Sequence, residues 1–141
     1  MAARSRIFID TNVWFSAFYG SPYAERIIRA HIEGKIQAII SKQVLDELVR
    51  NISAKIPHAV IPLKNLLEAT PPLIVADPQG VPQKLGSMVQ SKDQRIMASA
   101  VRSKVTIFVT GNTKDFAQQK LKDVYGILVL TPKEAVERLK L

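Results

Sequence analysis

The 141-residue chain reads as an α/β protein, a three-layer α/β/α sandwich around a five-stranded, mainly parallel sheet. Two observations predict this class. Short apolar, β-favouring runs recur five times, at Ile7–Ile9, Ile36–Ile40, Leu73–Val75, Thr106–Thr110 and Gly126–Leu130. Helical periodicity fills the intervals, and strands that alternate with helices are most economically arranged as a parallel sheet with helices on both faces.

The first run goes straight into Asp10-Thr11-Asn12, so a buried strand delivers a carboxylate to the sheet edge, where ligands of parallel α/β sheets bind. An aspartate there also serves to cap the next helix. Val13–Tyr19 is that helix, with Gly20 as its end. Ser21-Pro22 then pairs an N-cap with a proline suited to the first helical position, and Tyr23, Ile27, Ile28 and Ile32 recur at helical spacing up to Gly34. After the second strand Ser41 caps a helix whose stripe is Val44, Leu45, Leu48, Val49 and Ile52. Glu47 lies just off this stripe in the second turn, near the end of the second strand; considered alone, it is a solvated helix glutamate.

Pro57 and Pro62 bracket a break, followed by a short helix with Leu63, Leu66 and Leu67 that Thr70-Pro71-Pro72 stops. Beyond the third strand, Ala76–Gly86 is the loosest stretch, with Pro78, Gly80, Pro82 and Gly86, and reads as a surface connection or a substrate-facing loop. Lys92-Asp93 opens a helix running to about Lys104, with Ile96, Met97, Ala100 and Val101 at core spacing. Asp93 suits the helix dipole, and the same position aims a carboxylate at the sheet edge if the preceding loop passes there. Gly111-Asn112-Thr113-Lys114-Asp115-Phe116 follows the fourth strand and suits either close backbone approach to a ligand or a capped helix start. Thr131-Pro132-Lys133-Glu134 is a capping box that opens the last helix, with Ala135, Val136 and Leu139 inward.

One domain, residues 1–141, is expected from this length. With 47% hydrophobic and 23% charged residues the composition is that of an ordinary globular protein, and no apolar run approaches the roughly 20 residues of a membrane span. The apolar run at Ile7–Ile9 is too short for a signal peptide, so a cytoplasmic location is expected. The absence of cysteine excludes disulfides, thiolate metal sites and thiol nucleophiles. Twenty Lys and Arg against 12 Asp and Glu leave a net charge of +8, which favours polyanionic partners through counterion release, although the basic residues form no tail or block.

Four acids, Asp10, Glu47, Asp93 and Asp115, each stand at or near a strand end or a helix start. Clustered carboxylates repel one another, and a divalent cation is what normally makes such a cluster tolerable. An oxygen-only ligand set with water completing the shell suits Mg²⁺ or Mn²⁺. With the basic surface added, hydrolysis of a nucleic acid is the natural reaction.

The ordered set Ile7-Phe8-Ile9-Asp10-Thr11-Asn12, Ser41–Leu48, Lys92–Ala100 and Phe108–Phe116 resembles the PIN-domain family, small metal-dependent ribonucleases that include VapC-type toxins of toxin–antitoxin pairs. The resemblance implies a five-stranded parallel sheet, an acidic pocket at one edge, and divalent-metal-dependent cleavage of RNA. It also implies an antitoxin protein as partner and a homodimer. Carried over by position, Asp10, Glu47 and Asp93 match the family's three most regular acids, with Asp10 and Asp93 holding the metal and Glu47 binding it directly or through water. Many relatives carry an aspartate right after the Thr-Gly pair, where this chain has Asn112, which weakens a second metal site; Asp115 matches an acid that other relatives use three residues later. Thr11, Asn12, Ser41 and Thr110 are candidates for holding water or orienting ligands, or else turn and cap formers. Lys92, Arg95 and Lys114 flank the pocket, while His31 and His58 are isolated, one in a helix and one in a loop.

Two rivals remain. A haloacid-dehalogenase-like phosphatase also has an aspartate after its first strand but wants an acid two residues on, where this chain has Asn12. The stronger rival is a PIN-like module that binds RNA or a partner without cutting; Asn112 supports it and the three-acid set argues against it.

Overall fold

The structure is a computed structural model that describes residues 4–141; Met1–Ala3 of the expected domain lie outside the described residues. Strands β1 (Ser5–Ile9), β2 (Ile36–Ser41), β3 (Leu73–Val75), β4 (Ile107–Val109) and β5 (Leu128–Leu130) form one sheet in the order β3-β2-β1-β4-β5. Every neighbouring pair is parallel. Between and after them run α1 (Thr11–Tyr19), α2 (Pro22–Ile32), α3 (Lys42–Lys55), α4 (Val60–Ala69), α5 (Gln94–Arg102), α6 (Gln118–Tyr125) and α7 (Pro132–Leu139). The near-invariant right hand of such crossovers puts α1 to α4 on one face and α5 and α6 on the other, and α7 packs beside α2. Among the described residues no helix is long and apolar enough to cross a membrane.

Strands covered on both faces read as continuous apolar runs, and Ile7, Phe8 and Ile9 of β1 are all fully buried. Phe8 and Phe108 are register partners on β1 and β4, with rings stacked at 5.4 Å, and Phe116 tilts onto Phe108 at 5.3 Å. This aromatic ladder anchors the segment after β4 to the middle of the sheet. Among the described strand residues, only Leu73 and Ile74 of the edge strand β3 are exposed large apolar side chains.

The punctuation works largely as the residues predict. Gly20 ends α1 at φ 109°, a left-handed conformation that glycine adopts without strain. The Ser41 hydroxyl accepts from the Val44 N–H at 3.2 Å, and Thr131 and Glu134 form a reciprocal capping box. Ser21 occupies the N-cap of α2 but makes no side-chain capping bond. Pro62 does not break the chain: it lies in the first turn of α4, where an N–H would have no helical partner, and the break is confined to Ile56 and the 3-10 turn Pro57–Ala59. Val49, expected on the buried stripe of α3, is 43% exposed.

Helix α6 has no clear signature, since Leu121 is its single buried residue and Ala117 provides no side-chain cap. His31 is a buried tie: its Nδ1 accepts from the Ala38 N–H at 3.2 Å and its Nε2 meets the Thr70 carbonyl at 2.8 Å. A backbone N–H can only donate and a carbonyl only accept, so the proton sits on Nε2. The ring thereby joins α2, β2 and the end of α4.

The order β3-β2-β1-β4-β5 has a switch point between β1 and β4, because the chain leaves β1 towards one side and fills the other later. Crevices at the carboxyl ends of strands open at such points. Asp10 and Thr110 stand there, and their N–H groups extend the ladder to the Val109 and Leu130 carbonyls, at 3.0 Å each.

Candidate functional site

A cleft of about 420 Å³ opens at this switch point, lined by Asp10, Thr11, Asn12, Phe15 and Ser16 from the start of α1, Glu47, Asn51 and Lys55 from α3, and Lys92, Asp93 and Ile96 around the start of α5. Three of the four sequence-predicted acids therefore share one cavity. Asp115 does not line it; it lines a neighbouring cavity of about 520 Å³ with Gln90, Ser91, Gln94 and Lys114.

Asp10 is the innermost acid, only 7% exposed. Its Oδ1 accepts from the Thr11 N–H at 2.8 Å, the capping bond of α1, and its Oδ2 accepts from the Thr110 hydroxyl at 3.0 Å and more loosely from the Asn12 amide at 3.4 Å. Capping and site-building are the same geometry here, since the bond that starts the helix also orients the carboxylate. The Trp14 indole donates to the Ile9 carbonyl at 3.0 Å, fixing α1 against the end of β1. Burial pushes the Asp10 carboxyl up from 3.8 to about 6; the Thr11 and Thr110 bonds pull it down, and the charges of Asp93 and Glu47 push it further up.

Thr110 is fully buried and works three ways: it donates to Asp10, accepts from the Asn112 N–H at 3.2 Å, and lies 3.4 Å from the Asn12 amide nitrogen. Asn12 Oδ1 accepts from the Gly111 N–H at 2.9 Å, so β1 and β4 are stitched together beyond the sheet. A β-carbon on Gly111 would meet that same Oδ1 at 3.3 Å, a tight approach that a larger residue there would relieve only by shifting Asn12.

Glu47 is held from two sides, by the Thr11 hydroxyl at 2.9 Å on Oε2 and by the Gln43 amide at 3.4 Å on Oε1. The Ser41 hydroxyl caps α3 and makes no hydrogen bond to the four acids, and Asp77 adds a second cap by accepting from the Gln43 N–H at 2.9 Å. Asp93 stands on the 3-10 turn Ser91–Asp93 that leads into α5 and makes no side-chain capping bond. Burial pushes its carboxyl up, Lys92 opposes that, and the charges of Asp115 and Glu47 add to it.

Asp115 ends the 3-10 turn Thr113–Asp115 and is engaged by Lys92 Nζ at 3.3 Å and by the Asn112 amide. A carboxylate accepts, so Asn112 turns its N–H₂ end to Asp115. Arg95 reaches the Pro78 carbonyl at 3.3 Å, and Lys114 lines the neighbouring cavity.

Asn51, Lys55 and Phe15 are cleft residues that the sequence reading passes over, Lys55 lying over the Phe15 ring at 5.7 Å. A signal exists for two of them: Gln43, Glu47, Asn51 and Lys55 are spaced four apart and form one polar row on α3.

Among the described residues no group of three or more His, Cys, Asp or Glu side chains forms a ready-made metal cage. Mg²⁺ is typically held through one or two carboxylates and keeps several waters, so a cleft lined by three acids suits a hydrated ion. The raised Asp10 carboxyl points the same way, because a cation relieves both its burial and its repulsion from Asp93 and Glu47.

Known proteins with related structures include the DNA-bound VapBC complex of Salmonella typhimurium, 18% identical with a TM-score of 0.61, the match covering 91% of this chain and 98% of that one. A toxin–antitoxin complex from Klebsiella pneumoniae is 21% identical with a TM-score of 0.65, covering 89% and 97%. VapBC2 from Rickettsia felis, bound to a DNA fragment from its promoter, is 17% identical with a TM-score of 0.61, covering 89% and 98%. Identities this low speak for the fold. No curated protein matches the chain. The PIN domain family model matches residues 6–114, a span that takes in β1 from Arg6 on, the three acids of the cleft and the Thr110-Gly111 pair and stops one residue before Asp115. The chain belongs to the PIN-domain family.

Proposed function

We propose that the chain is a divalent-metal-dependent endoribonuclease and the toxin of a toxin–antitoxin pair. The observation that carries this reading is the convergence of Asp10, Glu47 and Asp93 on one cleft at the switch point of the sheet. Members of the family are generally nucleases, and the related complexes pair a toxin with an antitoxin. The net charge of +8 suits RNA as the polyanion. An antitoxin protein, a homodimer and a cytoplasmic place of action belong to the same proposal.

Asp10, Asp93 and Glu47 would hold Mg²⁺ or Mn²⁺, which when bound acidifies a water and neutralises charge at the phosphate. The Thr11 N–H and the Thr110 hydroxyl fix the Asp10 carboxylate before anything binds, so little reorganisation is needed later. Thr11 does the same for Glu47 through its hydroxyl, and one residue thereby orients two acids. Lys55 and Lys92 supply positive charge on the cleft wall for the RNA backbone.

The experiment is cleavage of labelled RNAs and single-stranded DNAs with Mg²⁺ or Mn²⁺, with EDTA and Asp10→Asn protein as controls. Cutting of RNA that requires both metal and Asp10 is the expected result. The neutral Asn112 favours a second reading, a module that holds RNA or a partner without cutting. Intact RNA that is nevertheless bound, together with no Mn²⁺ binding, would put that reading first.

A further inference from the structure

Lys92 sits on the boundary between the two cavities. It lines the cleft of Asp10, Glu47 and Asp93, and its Nζ pairs with Asp115, which opens into the cavity next door. The pairing is prepared by the backbone. Val89 and Phe116 form an antiparallel bridge, the Gln90 N–H donates to the Asp115 carbonyl at 3.2 Å, and the Ala117 N–H donates to the Met88 carbonyl at 2.7 Å. The segment carrying Lys92 is thus clamped to the segment carrying Asp115, and Phe116 pins both to the sheet through Phe108. Asn112 adds a donor to the same carboxylate oxygen, Oδ2.

Asp115 is therefore already matched by one cation and one amide. Lys92 itself remains 71% exposed at the side chain, so it is oriented without being covered. Three carboxylates facing one dication leave a single negative charge, which Lys55 on the cleft wall offsets, while Lys92 is balanced by Asp115. A second dication would find the Asp115 carboxylate already engaged by Lys92 and Asn112.

We propose that Lys92, positioned by Asp115 and Asn112, is the fixed cation of the site: the cleft takes one divalent ion, and the Lys92 ammonium contacts the RNA phosphate where a second ion would otherwise stand. Asp115 is a positioning residue for Lys92. This inference rests on the nuclease reading for its substrate, but not for the ion count.

The test begins with the number of Mn²⁺ ions bound by the full chain, read by titration calorimetry or by the electron-spin signal of free Mn²⁺. One ion per chain is expected for the wild type and for Asp115→Asn, and at least one for Lys92→Gln, where the place of the fixed cation is vacated; two ions on the wild type, or loss of the ion from either variant, overturns the proposal. In RNA cleavage, Lys92→Gln is expected to lower kcat about 10- to 100-fold and Lys92→Arg to recover part of it; a Lys92→Gln protein that cuts at the wild-type rate overturns it. Should the wild type cut no RNA, the nuclease reading fails separately, and binding of a single-stranded oligoribonucleotide with Mn²⁺ decides. A drop in affinity of about fivefold or more in Lys92→Gln sustains the phosphate contact, and unchanged affinity removes it.

Discussion

Asp10 and Asp115 are both aspartates at the carboxyl end of one sheet, yet they are held in opposite ways. Asp10 hangs from the end of β1 in a pocket where Thr11 and Thr110 are, like it, less than a tenth exposed, and directional hydrogen bonds set its position. Asp115 stands on a single 3-10 turn at the rim and is matched by a lysine that is mostly in solvent. Burial makes the first arrangement costly and stiff, whereas exposure makes the charge pair of the second cheap. The site thus has a strand-borne half set by buried hydrogen bonds and a turn-borne half set by its backbone bridge and the Phe116 anchor, with its charge pair left in water.

The most severe way to break the comparison is Asp10→Asn. It removes one charge from the strand-borne half with almost no change of shape, and it is expected to lower RNA cleavage at least about a thousandfold, the several kcal/mol carried by an ion-holding carboxylate. Stability should move the other way. With its carboxyl raised from 3.8 to about 6, the ion-free folded protein keeps a proton there that the unfolded chain has already released. Stability therefore falls as the pH rises between those values, by about 3 kcal/mol, and is flat above them. Asparagine has no such titration. Urea midpoints in EDTA at pH 4 and pH 7 should fall further for the wild type than for Asp10→Asn; equal falls would mean that Asp10 is not charged at a cost.

How much could be read from the residues follows the same division. Asp10 after β1 and Thr110-Gly111 after β4 were legible because an apolar run ending in a small polar residue locates a strand end without any knowledge of packing. The capping box at Thr131 and the Ser41 cap are equally local. What was not legible depends on which faces meet. Asn51 and Lys55 join the cleft because α3 turns its polar row inward to it, and the sequence does not say which way a helix is rolled. Asp115 carries the same charge as the other acids, and only the bridge between Val89 and Phe116 reveals that it belongs to Lys92 and the adjoining cavity. Helix α6 escaped because a single buried leucine makes no stripe.

Phe116→Ala is the next largest break, and it attacks the turn-borne half at its anchor. Phe116 is 7% exposed and packs on Phe108, which in turn stacks on Phe8. Loss of a buried phenylalanine costs about 3–5 kcal/mol, and a urea titration should register a loss in that range. The turn that carries Asp115 should loosen with it, seen as faster amide exchange at Phe116 and Ala117, whose N–H groups bond to Thr113 and Met88.

Thr110→Val sharpens the comparison from the other side, by changing one buried hydroxyl for a methyl of similar size. Asp10 loses a donor, and the Asn112 N–H loses its acceptor. Asp10 keeps the Thr11 N–H and the Asn12 amide, so the cost is that of one buried hydrogen bond to a carboxyl, about 1–3 kcal/mol, and losing the Thr110 donor should move the Asp10 carboxyl further up. Thr110→Ser keeps the hydroxyl and should recover most of both effects. A valine variant as stable as the wild type would show that the strand-borne half is not held by this hydroxyl.

Asp115→Asn should be the mildest of the four for stability. Its partner Lys92 is 71% exposed, and a pair that open to water contributes at most a few tenths of a kcal/mol at ordinary salt, about 0.5 kcal/mol or less. The amide that replaces the carboxylate still offers an oxygen to Asn112, and the turn keeps its Phe116 anchor. The urea midpoint should therefore stay close to the wild type at both low and high salt, in contrast with Thr110→Val, which should be destabilised equally at both because its bonds are neutral or shielded from solvent. A large loss in Asp115→Asn that shrinks as salt is added would mean that charge, and not the aromatic anchor, holds the turn-borne half together.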